Sequence, residues 1–279
     1  MIESKPNEKR LIFGLMPATN ERQQTMTIPF KMPTDLLAID TNAKTVKGQK
    51  LGYMTGILYL APAKVSGYQV CSMSAIAQCE EACLYTAGRG AFNNVQNSRI
   101  NKTCIFFEYR TEFMLRLVKN IISLINKASK NGFIPLIRLN GTSDIKWENI
   151  SFEYQGVHYE NIMELFPDVQ FYDYTKIANR QNIPANYDLT FSYSGVLQYQ
   201  KYVNIALKAG MRIAVVFRRV ADIPVKFIGL DCISGDNSDI RHTEPKNTVV
   251  ALYAKGKAKN DMTGFVVDSG KRSFALIAA

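Results

Sequence analysis

The sequence predicts an α/β fold, a partial (β/α) barrel with parallel strands and a β-rich C-terminal segment. Three features predict it. Short apolar runs of strand length each end in a polar cluster, amphipathic helical stretches separate them, and the last sixth of the chain is strand and turn without helix. Strand, polar end, helix and strand in repetition is the pattern of right-handed parallel crossovers.

The elements follow in order. Residues 1–50 are polar and broken by Pro6, Pro17, Pro29 and Pro33, which predicts an N-terminal arm or edge segment. Residues 51–279 read as one α/β domain of catalytic type. Ile57 to Ala61 is a short buried strand stopped by Pro62. Phe113, Leu117, Ile121, Leu124 and Ile125 recur at helical spacing, and Asn131-Gly132 closes that helix. Strands are expected at Ile134–Leu139, Val169–Tyr172, Leu189–Phe191 and Met211–Phe217. Helices are expected at Asn161–Leu165 and Tyr199–Ala209, with a turn at Ile177–Arg180. Phe227–Ile233, Val249–Ala254 and Phe265–Val267 supply the closing strands. About five or six βα units fall short of the eight of a full barrel.

Composition bounds the function. Of 279 residues, 47% are hydrophobic and 21% charged, which excludes a disordered chain. No apolar run is long enough to span a bilayer, and MIESKPNEKR is followed by no apolar core of a signal peptide. The expected location is therefore cytoplasmic. A formal charge of +10 favours a polyanionic partner, a nucleic acid or nucleotide, against the plainer reading of solubility. The P-loop, the dinucleotide glycine fingerprint, the Gly-x-Ser-x-Gly elbow and the His-Glu-x-x-His zinc motif are all missing.

Five cysteines occur, and three crowd into a C-x7-C-x3-C stretch at Cys71, Cys79 and Cys83. If the segment around Cys79 is helical, Cys79 and Cys83 share one face. Clustered thiols in a reducing compartment point to metal. Two centres suit three thiolates: a four-iron cluster with one iron open to S-adenosylmethionine, or zinc with a distant fourth ligand from His158 or His242. The alternative is three small buried hydrophobes. Cys104 and Cys232 sit in apolar runs and are expected in the core.

Polar strand ends supply the other candidates, because parallel α/β folds bind ligands there. Asn140, Thr142, Ser143 and Asp144 follow one strand, Asp173, Tyr174 and Lys176 the next, and Ser192 and Ser194 the third. Asp144 and Asp173 are candidate acid–base residues, to be replaced without loss of fold. Taken singly, each reads better as a helix cap or turn residue, and their recurrence after three consecutive strands is what favours a functional role. Lys176 and Arg241 would hold phosphate, and Arg89 in Gly88-Arg89-Gly90 would meet phosphate or carboxylate. Asp236, Asp239 and Arg241 belong to an oxygen-rich loop that lacks the spacing of a calcium hand and is placed at the site rim.

The stretches GYQVCSMSAIAQCEEACLYTAGRGAFNNVQNSRINKT (67–103), RLNGTSDIKWE (138–148), FYDYTK (171–176), LTFSYSG (189–195) and GDNSDIRHTEPKNTVVALYAKGKAK (235–259) resemble the phage and plasmid family labelled gene product 88. The resemblance implies a mobile-element origin, with the host cytoplasm as compartment. It also implies a partial barrel similar to that of radical S-adenosylmethionine proteins, whose usual cysteine pattern, C-x3-C-x2-C, this chain does not keep. The function expected is a metalloenzyme acting on a nucleotide or nucleic acid. Two rivals are a guanine transglycosylase-like enzyme with paired aspartates and a zinc site, and a basic nucleic-acid-binding protein without turnover.

Overall fold

Phe113, Leu117, Ile121 and Leu124 are buried along one stripe of a helix that spans Arg110–Lys130. In the computed structural model, which describes residues 31–39 and 43–268, this stripe lies on one face of a large sheet. Of the expected N-terminal arm, residues 1–30 and 40–42 lie outside the described residues.

The strands are β1 (Leu37–Ile39), β2 (Tyr53–Leu58), β3 (Ile134–Arg138), β4 (Phe152–Tyr154), β5 (Val157–Tyr159), β6 (Gln170–Thr175), β7 (Tyr187–Ser192), β8 (Arg212–Phe217), β9 (Lys226–Phe227), β10 (Leu230–Ser234) and β11 (Val249–Tyr253). The helices are α1 (Ala43–Gln49), α2 (Asn93–Glu108), α3 (Arg110–Lys130), α4 (Ile162–Leu165) and α5 (Gln200–Lys208). Nine strands form one sheet in the order β1-β2-β3-β6-β7-β8-β11-β10-β9, and β4 and β5 form a separate hairpin. Every pairing from β2 to β10 along that order is parallel, and only β1 and β9 pair antiparallel. From β2 to β8 each new strand adds on the same side of the last, so all these strands point their carboxyl ends to one edge.

Alternation along the strands separates two faces. Met54, Leu58, Ile137, Phe171, Tyr187 and Leu189 pack with α3, and Phe191, Ile213, Val215 and Phe217 with Tyr199, Val203 and Ala206 of the α5 region. The opposite face is polar: Arg138, Tyr172, Tyr174, Thr190 and Arg212 point that way. The segment around Asp239–Glu244 lies on it. Arg138 donates to Asp239 at 2.5 Å, Arg241 donates to Tyr174 Oη at 2.8 Å, and Arg212 donates to Glu244 O at 2.6 Å.

Several expectations shift. The first parallel strand ends at Leu58, not Ala61, because the next backbone groups leave the ladder: Leu60 O accepts from Thr142 Oγ1 and Ala61 N donates to Thr103 Oγ1. The expected strand at 227–233 is broken by a hairpin with positive φ at Ile228 and Gly229. Of the expected strand at 265–267, one bridge remains, Phe217 to Val267. The segment around Cys79 is a run of turns with Gln78 at φ 49°, not a helix, so Cys79 and Cys83 share no helical face. α2 carries no apolar stripe in its polar first half, which is why the sequence does not announce it. Among the described residues, no helix is long and apolar enough to cross a membrane.

Candidate functional site

The turn-rich segment after β2 carries the cysteines across the carboxyl ends of β3, β6 and β7. Asp144 N donates to Val70 O at 2.8 Å, and the Cys71 thiol lies 3.9 Å from Thr142 O. Ser194 Oγ donates to Ala77 O at 2.8 Å, which ties the segment to the end of β7. From above, Thr263 Oγ1 donates to Gln78 O, and Ala82, Phe265 and Val266 pack against Cys79.

Lys176 stands just past β6 in the middle of this face. Its ammonium donates to Ser192 O at 3.2 Å and Ser192 Oγ at 3.1 Å, and it lies 4.7 Å from the centre of the Phe265 ring. Its backbone N–H donates to Asp144 Oδ2 at 2.7 Å. Burial pulls the ammonium below its ordinary pKa, against the negative charge that Cys79, Asp144, Cys71 and Cys83 would set around it. Burial pushes the Cys71 thiol up to about 12, with Asp144, Cys83 and Cys79 adding to it. Burial raises the Cys79 and Cys83 thiols too, while Lys176 acts on both in the opposite direction.

Asp144 is fixed from its other side by Arg180, whose Nη1 lies 3.7 Å from Asp144 Oδ1. Arg180 also pairs with Glu148, a carboxylate with no exposed surface, through Nη2 to Oε2 and through Nε to Oε1 at 2.8 Å. Sequence reasoning missed Arg180 and Glu148, although Glu148 closes the RLNGTSDIKWE stretch. A second arginine near the thiols, Arg99 of α2, was also missed; its charge pulls Cys83 down.

The sequence candidates thus separate by place. Cys71, Cys79, Cys83, Thr142, Asp144, Lys176, Ser192 and Ser194 come together on the cysteine face. Asn140 and Ser143 are buried beneath it as loop scaffold: Asn140 Oδ1 accepts from Ser143 Oγ, Ile145 N and Trp147 Nε1. Asp173 lies inside β6, fully buried, and accepts from Leu139 N at 3.1 Å, Asn140 N at 2.9 Å and Tyr187 Oη at 3.0 Å. These contacts leave it no free face for a substrate. Tyr174, Asp239 and Arg241 belong to the polar face of the sheet, where Arg241 is fully buried and pairs with Glu244 and with the carbonyls of Gly235 and Ser238. Arg241 is therefore not on a rim. Arg89 is exposed on the turn at Gly88–Ala91, and Asp236 accepts from Lys255 at 3.1 Å.

The candidate donors for a metal on this face are the three thiols. Among the described residues, no group of three or more His, Cys, Asp or Glu side chains is drawn up to hold a metal ion. The thiols nevertheless share one electrostatic neighbourhood: Cys83 and Cys79 both raise the Cys71 thiol, and Cys79 raises the Cys83 thiol. Neither histidine is placed to join them. His158 is exposed on the β4–β5 hairpin beside Glu153, and His242 packs against Tyr53 and Tyr172 on the polar face of the sheet. Cys104 lies on α2 with its thiol 3.9 Å from Ser66 O, and Cys232 lies on β10. Both are half-buried, not fully in the core. A surface hollow of about 410 Å³ at Asn161, Pro167 and Ala185 holds none of these groups.

Searches of curated proteins and of solved structures give no match. The family model described as Gene product 88 matches residues 36–269, which takes in the whole sheet, the cysteine segment and the strand ends it covers. The chain belongs to the gene product 88 family.

Proposed function

We propose that the chain is a metalloenzyme of the radical S-adenosylmethionine kind, acting on a nucleotide or nucleic acid from the cysteine face of a partial (β/α) barrel. One observation carries the reading. Three thiols on the segment after the first parallel strand meet Lys176 and Asp144 at the carboxyl ends of the next strands. The strands from β2 to β8 follow in sequential order, as barrel strands do.

The donor chemistry fits the proposed group. Three thiols without a histidine suit an iron–sulfur cluster that keeps one iron open, and suit zinc less well because zinc asks for a fourth protein ligand. Loading must draw the thiols together and remove their protons, whose pKa values burial holds high. When bound, the cluster with S-adenosylmethionine would supply one-electron chemistry. The chain's own part is electrostatic and positional. Lys176 and Arg99 offset thiolate charge, and Asp144, braced by Arg180, holds the Lys176 backbone in place. The net charge of +10 favours a polyanionic substrate.

Protein reconstituted with iron and sulfide should cleave S-adenosylmethionine to methionine and 5′-deoxyadenosine, the electron coming from an added reductant such as dithionite and the hydrogen atom from substrate or solvent. Cys79→Ser should abolish the cleavage. Deoxyadenosine at the level of the cysteine variant, from reconstituted wild-type protein, would reject the radical reading.

A further inference from the structure

Arg99 is the one guanidinium near the thiols for which the described residues offer no carboxylate. It is 8% exposed, and its Nε and Nη1 are buried without a hydrogen-bond partner among the described residues. The other buried arginines behave differently. Arg138 pairs with Asp239, Arg180 with Glu148, Arg212 with Asp188 and Arg241 with Glu244. A buried charge without a counter-charge is expensive, so this exception asks for a reason.

The surroundings supply one. The guanidinium carbon lies 4.8 Å from the centre of the Tyr59 ring and 5.5 Å from that of Tyr85, so two aromatic rings flank it. Aromatic rings satisfy none of its N–H donors with a conventional acceptor, so these donors are the part available for recognition. Gly90 borders the guanidinium. A Cβ there would lie 2.7 Å from Tyr85 O, so the turn admits only glycine, and 3.4 Å from Arg99 Nη1, so the turn sits directly against the guanidinium. Gln96 Nε2 donates to Gly90 O at 3.2 Å and holds the turn over α2. A second cation follows one turn on. Lys102 donates to Leu36 O at 2.9 Å, and burial, then the charge of Arg99, pulls its ammonium down to about 8. Asp35 opposes that shift at Lys102, which leaves Arg99 as the buried cation here without a hydrogen-bonded carboxylate among the described residues.

We infer that Arg99, framed by Tyr59, Tyr85 and Gly90, is a binding site for an oxyanion, the carboxylate or phosphate of a small molecule seated beside Cys83. That this molecule reacts at the thiols rests on the proposed function; the oxyanion site itself does not. A planar fork of donors meets either oxyanion with two parallel hydrogen bonds.

The test is thermal unfolding of wild type, Arg99→Met and Arg99→Lys in chloride, inorganic phosphate or acetate at equal ionic strength. Phosphate, acetate or both should raise the wild-type midpoint in a saturable way. The apparent affinity should weaken about tenfold or more in Arg99→Met and partly in Arg99→Lys, which keeps the charge and loses the fork. The salt that acts identifies the source as phosphate or carboxylate. In chloride, Arg99→Met should be at least as stable as wild type, since it removes an unpaired buried charge. An equal response of wild type and both variants to the oxyanions, or no wild-type response, would overturn the site. Should Arg99→Met fail to fold, Arg99→Lys decides by the same comparison. Iron content, measured on the same samples, reports separately on the metal centre.

Discussion

Asp173→Ala is expected to lower the unfolding free energy by about 3 kcal/mol, because three donors lose their acceptor in a site closed to water. Those donors are the backbone N–H groups of Leu139 and Asn140 and the Tyr187 hydroxyl. This differs from the sequence expectation of a catalytic aspartate replaceable without loss of fold. The pH dependence adds a signature. Burial lifts the Asp173 carboxyl from 3.8 to about 6, against the pull of Arg138 and the three donors. Between those values the folded chain keeps a proton that the unfolded chain has lost. The stability from this proton is therefore full below about pH 4 and is lost as pH rises through about 6. The gap between wild type and Asp173→Ala should widen by about 1 kcal/mol from pH 7 to pH 5. Urea unfolding at the two pH values measures it. A gap under about 1 kcal/mol at both values, or a wider gap at pH 7, would return Asp173 to the list of catalytic candidates.

Arg180→Met should cost more, about 4 kcal/mol, because it strands two carboxylates. Glu148 has no exposed side-chain surface and Asp144 has 8%, and Arg180 lies against both. Glu148→Gln in the same chain should recover about 2 kcal/mol of that loss, since the stranded charge disappears with it. A double-mutant cycle by denaturant unfolding gives the number. Additive losses would mean that the guanidinium is not neutralising Glu148. The same brace fixes Asp144 beneath the Lys176 backbone, so Arg180→Met should also loosen the cysteine face.

The fold was legible where burial and periodicity coincide. Phe113, Leu117, Ile121 and Leu124 gave α3 nearly to its ends, because a stripe that must be buried repeats at helical spacing. The strands at β3, β7, β8 and β11 were legible as apolar runs between polar clusters. α2 was not, since much of its surface is polar and its buried residues include Arg99 and Thr103. The cysteine face was legible in part for a topological reason. Polar residues after parallel strands emerge at one edge, and this rule gathers Thr142, Asp144, Lys176 and Ser192. The rule does not say which strand residue is the last. Asp173 and Tyr174 fall inside β6, so their side chains alternate between the two faces and leave the edge. Arg241 was misplaced because nothing in GDNSDIRH signals a segment folded onto the polar face of the sheet. Its partners Glu244 and the carbonyls of Gly235 and Ser238 are near in sequence, but Tyr174, which marks the face it lies on, is brought to it only by the fold.

The central claim is that Cys71, Cys79 and Cys83 hold an iron–sulfur centre, and metal analysis by position tests it most directly. Protein purified without oxygen is assayed for iron, zinc and acid-labile sulfide, as wild type and as five single cysteine-to-serine variants. The account predicts about four irons and about four sulfides per chain in wild type. It predicts loss in Cys71→Ser, Cys79→Ser and Cys83→Ser, and wild-type content in Cys104→Ser and Cys232→Ser. Wild-type protein with zinc as its only metal or with none, or iron that survives in Cys79→Ser, would contradict it.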